Sequence, residues 1–168
     1  MVKSFTLAAA SCTMASKSGG EYTYVRRNSN SYMPSFMEII DSNDLRCNKG
    51  ATNAGTKTYM DVKAGDKIGL KLFNNEFIEH PGPGFFYLSK APGNVSDYDG
   101  SGDWFKVCRE ATDMECAQIR ITGGTGTAKP SPVSKIPGIY SKTDPGLTFN
   151  FWGGKGAYVM PGPAVAKL

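Results

Sequence analysis

Short runs in which apolar and polar residues alternate with a period of two set the tightest limit on how this chain can fold. Lys67-Ile68-Gly69-Leu70-Lys71-Leu72, Gln118-Ile119-Arg120-Ile121 and Leu147-Thr148-Phe149-Asn150-Phe151 each place their large apolar side chains on one face, as half-buried strands do. Phe85 to Leu88 and Trp104 to Val107 are short apolar runs bounded by turn residues, which predicts inner strands. No helical period of useful length is present. Ala64-Gly65-Asp66 punctuates the chain before a strand, Asp97 to Asp103 separates two strands, and Gly123-Gly124 closes another. With 20 glycines and 10 prolines among 168 residues, short strands joined by tight turns are expected, so the fold class is all-β, a sandwich. Residues 123 to 144, rich in Gly, Pro, Ser and Thr, read as a long surface connection that Pro130, Pro132 and Pro137 stiffen and extend.

The length suits one domain with a core of its own. A net charge of +4 is spread over lysines such as Lys49, Lys63, Lys71 and Lys90 with acids between them, which argues against a nucleic-acid partner. No apolar run approaches the roughly 20 residues of a membrane-spanning helix, so no membrane role is expected. Lys3, the apolar stretch from Phe5 to Ala10, and Thr13-Met14-Ala15 resemble a secretory signal over residues 1–15, leaving 16–168 as the single domain. Secretion also suits the acceptor triplet Asn94-Val95-Ser96, which makes Asn94 a candidate glycosylation site, and four cysteines without C-x-x-C spacing.

Motif-like stretches have plainer readings. Asp97, Asp99 and Asp103 resemble a calcium loop but lack the later bidentate acid, so a strand-joining turn is preferred. Gly123-Gly124-Thr125-Gly126 lacks the Lys-Ser/Thr pair of a phosphate loop. No serine nucleophile elbow is present, and no acid pair stands out for hydrolysis of a glycosidic bond. His80, the single histidine, sits in Glu79-His80-Pro81-Gly82-Pro83, where a strand gives way to a turn.

Four ordered blocks carry a resemblance. Tyr24-Val25-Arg26-Arg27 with Ser42-Asn43-Asp44-Leu45-Arg46-Cys47-Asn48 forms the first. His80-Pro81-Gly82-Pro83, Tyr87-Leu88-Ser89-Lys90-Ala91-Pro92 and Gly100-Ser101-Gly102-Asp103-Trp104-Phe105-Lys106 form the second. Met114-Glu115-Cys116-Ala117-Gln118-Ile119 with Thr122-Gly123-Gly124 is the third, and Ile136-Pro137-Gly138-Ile139-Tyr140, Thr143-Asp144-Pro145-Gly146 and Met160-Pro161-Gly162-Pro163 the fourth. Together they resemble the fungal cellulose-active lytic polysaccharide monooxygenases, formerly classed as glycoside hydrolase family 61. The resemblance implies an immunoglobulin/fibronectin-like β-sandwich with long loops, secreted and monomeric. It also implies one copper ion on a flat face that meets cellulose or another β-glucan. Copper there is held by the amine and imidazole of a first-position histidine and by a second histidine, with an axial tyrosine. An external electron donor reduces it, and the β-1,4-glucosidic bond is cleaved oxidatively at C1 or C4.

Position by position, the resemblance places His80 as the second copper-binding imidazole, and Trp152 as the aromatic that packs on sugar rings. Tyr158 is a weaker substrate-binding candidate, and packing of Trp152 in the core is the alternative. Cys47 and Cys116 match the family's disulfide, which leaves Cys108 as a free thiol. The axial tyrosine position holds Asp113. Cleavage after Ala15 would leave Ser16 in front, where the family has histidine. Cys108 to Asp113 stand where the family has several strands and a further histidine. The chain therefore reads as a form of the monooxygenase lacking much of its copper site, with no catalytic group intact. The alternatives are a non-catalytic cellulose-binding sandwich and a structural wall protein on an inherited scaffold.

Overall fold

In the computed structural model, residues 23–29, 36–53, 59–68, 82–108, 116–124, 126–127, 129–153 and 156–168 are described. Among them the chain forms one α-helical turn, α1 (Phe36–Ile39), two 3₁₀ turns (Asn43–Leu45 and Val95–Asp97), and four strands: β1 (Met60–Lys63), β2 (Phe86–Ser89), β3 (Trp104–Cys108) and β4 (Ile119–Thr122). Strand β1 runs parallel to β4, pairing Met60 with Ile119 and Lys63 with Thr122. The segment before β4 is shared on both sides. The Gln118 amide donates to the Tyr24 carbonyl at 2.8 Å and its carbonyl accepts from the Met60 amide at 2.9 Å. Strand β2 is antiparallel to β3. On the far side of β3, Trp104 and Ser134 exchange backbone hydrogen bonds, and the Ala166 amide donates to the Lys106 carbonyl. With neighbours on both edges, β3 sits inside its sheet, and Phe105 is buried accordingly.

The core gathers Ile40, Leu45 and Ile136, with Tyr87, Trp104, Ile139, Tyr140 and Leu147 packed against it. Lys106 is fully buried on β3, where alternation would set its charge against the core. Its Nζ donates to the Pro161 carbonyl at 2.9 Å and lies 4.3 Å from the centroid of the Phe85 ring. An ammonium can stay inside because a carbonyl and an aromatic face replace part of its hydration. The neighbouring Tyr87 and Tyr140 hydroxyls meet at 2.7 Å. Burial pushes the Tyr87 hydroxyl up to about 12 and raises Tyr140 as well.

The strands expected near 85–88, 104–107 and 118–121 are found. The strand expected over Leu147 to Phe151 is not. Asp144-Pro145-Gly146 opens a turn in which the Asp144 carbonyl accepts from the amides of Leu147 and Thr148 at 2.9 and 3.1 Å, so those amides are spent locally. Lys67 and Ile68 lie outside any strand, and 69–72 fall outside the described residues. The turn at Ala64-Gly65-Asp66 closes β1, with the Asp66 amide on the Lys63 carbonyl. β1 itself alternates Met60, Asp61, Val62, Lys63 but is four residues long. Among the described residues of 123–144 no helix or strand forms and most are exposed or half-buried, as expected of an irregular surface connection, but the segment bends at 132 and at 136–139 instead of staying extended, and Ile136 enters the core. Cys47 and Cys116 form a disulfide, and Cys108 is also disulfide-bonded. The free thiol expected at Cys108 is thus corrected. The 1–15 segment lies outside the described residues, and none of the described helices is long and apolar enough to cross a membrane.

Candidate functional site

The turn that replaces the expected strand at 147–151 builds the most exposed aromatic of the structure's described part. The Trp152 amide donates to Asn150 Oδ1 at 3.0 Å, closing an Asx turn that throws the indole outward. Trp152 is 85% exposed, which removes the core-packing alternative. The indole is therefore no part of the core and its faces are open to a partner from solution.

Three rings support this turn. Phe149 meets Phe151 edge-on at 5.1 Å and Tyr158 at 5.3 Å, and Phe151 lies 5.2 Å from Tyr158. Tyr158 is half-buried, and its hydroxyl donates to the Gly146 carbonyl at 3.0 Å, tying the two sides of the loop together. Burial raises its pKa above the ordinary phenol value. Gly146 must be a glycine, since a Cβ there would lie 2.1 Å from the Val159 carbonyl oxygen. Val159 is exposed beside them. Trp152 thus projects from a turn whose flanking rings pack on one another. Phe149 and Phe151 read from sequence as strand residues, and the density of rings in Phe149-Asn150-Phe151-Trp152 is the feature that marks this aromatic loop.

The loop between β2 and β3 is a turn, as expected, and its acids are spoken for. Asp97 accepts from Asn94 Nδ2, Asp99 accepts from the Ser101 amide, and Asp103 pairs with Lys135 at 3.0 Å. The Ser101 hydrogen bonds hold the Asp99 carboxyl below the usual carboxylate range. Asn94 is exposed at the start of this loop.

His80 and Asp113 fall outside the described residues. Among the described residues no group of three or more His, Cys, Asp or Glu side chains converges as a metal site. Sulfur ligands are ruled out at Cys47, Cys108 and Cys116 because all three are oxidised. The sequence holds one histidine. That donor set does not fit a copper centre built on two imidazoles.

Comparison with known proteins identifies the scaffold. The family model of Auxiliary Activity family 9 (formerly GH61) matches residues 1–115 and 113–158, in two segments that meet near 113. AA9 family lytic polysaccharide monooxygenase G of Aspergillus tamarii is 34% identical over 204 residues, covering 89% of this chain and 62% of the relative. AA9 family lytic polysaccharide monooxygenase D of Emericella nidulans is 36% identical over 178 residues, covering 74% and 62%. The chain therefore spans about 62% of the length of these relatives. Both alignments are longer than the 168-residue chain, so the relatives carry residues with no counterpart in it. The crystal structure of HiLPMO9B superposes with a TM-score of 0.66 at 19% identity, covering 87% of this chain and 88% of that one, which establishes the all-β, immunoglobulin-like sandwich. By family match and by relatives above 30% identity, this chain belongs to Auxiliary Activity family 9, the lytic polysaccharide monooxygenases.

Proposed function

We propose that this chain works at the surface of cellulose or a related β-glucan as a member of the copper-dependent family that oxidatively cleaves β-1,4-glucosidic bonds, with Trp152 as its main contact to the polysaccharide. The observation that carries the proposal is the outward indole of Trp152 on its Asx turn. A wide flat ring covers the apolar face of a glucose unit, and the Asx turn at Asn150 presents it to solvent before any ligand arrives. Tyr158 contributes by holding the turn. Copper, an external electron donor and an extracellular setting are the family's conditions of action. His80 is the group on this chain suited to bind copper.

Losing the indole should remove about 1–2 kcal/mol of contact free energy, so Trp152→Ala should weaken partitioning onto microcrystalline cellulose roughly tenfold. Pull-down isotherms read this, and circular dichroism should show an unchanged fold. Binding unaffected by Trp152→Ala would refute the assignment.

The donor set favours a second reading for the chemistry: a cellulose-binding sandwich without efficient oxidation. One imidazole cannot chelate, so calorimetric copper titration should show binding orders of magnitude weaker than a three-nitrogen site, and His80→Ala should abolish most of it. Oxidised cello-oligosaccharides should then be scarce when the chain is given cellulose, copper and ascorbate. Tight one-to-one copper binding with abundant C1- or C4-oxidised products would instead establish the full monooxygenase function.

A further inference from the structure

We infer that Asn94 is an N-linked glycosylation site, with its glycan seated on the rigid loop between β2 and β3. Asn94-Val95-Ser96 is the one Asn-x-Ser/Thr triplet in the sequence, and x is not proline. The structure adds what the triplet lacks by itself. Asn94 is exposed, and it caps the 3₁₀ turn Val95–Asp97. Its Oδ1 accepts from the Ser96 amide at 3.2 Å, and its Nδ2 donates to Asp97 Oδ2 at 3.2 Å. The carboxamide is therefore oriented at both ends. A primary amide nitrogen carries two N–H groups. The bond to Asp97 uses one, and a glycan would replace the other without removing either contact.

The mount is stiff. Arg26 Nη2 donates to the carbonyls of Val95 and Tyr98, and Arg46 Nη1 donates to that of Asp99. A large polar appendage on a fixed loop shields the neighbouring surface and adds solubility. In the transfer, Nδ2 joins the anomeric carbon of the reducing-end sugar of a lipid-linked oligosaccharide. An N–C bond forms, the sugar's bond to pyrophosphate breaks, one amide proton is released, and the lipid pyrophosphate leaves. Nothing is oxidised or reduced. The inference requires passage through a secretory pathway, and it stands or falls separately from the copper and cellulose reading.

The test is expression of the full chain behind a secretion leader in a glycosylating fungal host, followed by mass mapping of the tryptic peptide from Ala91 to Lys106. The expected peptide carries an oligosaccharide, and amidase release in heavy-oxygen water converts Asn94→Asp with one labelled oxygen. Ser96→Ala should abolish the glycan while keeping the contact that orients Asn94, because that contact comes from the Ser96 backbone amide. An unmodified peptide in the secreted protein overturns the inference, and so does a glycan that survives Ser96→Ala.

Discussion

Replacing Arg26 with methionine is expected to cost about 4 kcal/mol of stability. Arg26 is 4% exposed, and its guanidinium is spread over four acceptors from three parts of the sequence. Nη1 donates to the Thr52 carbonyl, Nη2 to the carbonyls of Val95 and Tyr98 at 2.9 and 2.6 Å, and Nε to Gln118 Oε1 at 3.2 Å. Burial lowers the Arg26 pKa, and the charge of Asp99 works in the opposite direction. Methionine fills much of the volume but leaves those acceptors without their donor, at about 1–3 kcal/mol for each that water cannot reach. For a domain of this size the loss corresponds to a fall in melting temperature of roughly 10 °C. Lysine should not rescue, because one ammonium cannot span the fork that a planar guanidinium fills. Arg120 supplies the control. It grips Asp61 and the Tyr59 hydroxyl, yet these groups are exposed and screened by water, so Arg120→Met should leave the melting midpoint close to wild type. Thermal denaturation followed by circular dichroism checks all three variants, and a wild-type midpoint for Arg26→Lys would refute the fork argument.

Arg26 also shows where sequence reading stops. It stands in Val25-Arg26-Arg27, and Arg27 is exposed while Arg26 is buried. Nothing in a pair of identical residues tells which one the fold will swallow, because the acceptors come from segments 26 to 92 residues away. Lys106 is a similar case: its burial depends on the Pro161 carbonyl, 55 residues distant. Strands β2, β3 and β4 were legible because their apolar faces are written locally, whereas Leu147 to Phe151 alternated just as well and became turns. There a local competitor won, the Asp144 carbonyl, which binds two amides that a ladder would have needed. Trp152 was legible as a candidate but not as an exposed one, since alternation says nothing of an Asx turn two residues long. Family resemblance supplied what periodicity could not, above all the pairing of Cys47 with Cys116.

Removing that disulfide with Cys47→Ala and Cys116→Ala together is expected to lower stability by about 4 kcal/mol, because the bond closes a loop of roughly 70 residues in the unfolded chain. The loop contains β1, β2 and β3, so without it the unfolded ensemble regains freedom over much of the domain. The bond is also next to the Arg26 cluster. The Arg26 amide donates to the Cys116 carbonyl at 2.9 Å, two residues before the Gln118 side chain that the guanidinium holds. Disulfide and guanidinium therefore fix the same stretch of backbone, and their losses should not add. In the variant lacking both, the total should fall short of the separate losses by about 1 kcal/mol or more, since a chain already loosened at Cys116 has less to lose at Arg26. Urea denaturation of the four members of this cycle measures the coupling. Strict additivity would show that the two act on separate parts of the fold, with the disulfide acting through the unfolded chain alone. A shortfall would show that the Cys116 to Gln118 segment is the shared anchor, at the point where the chain passes into β4.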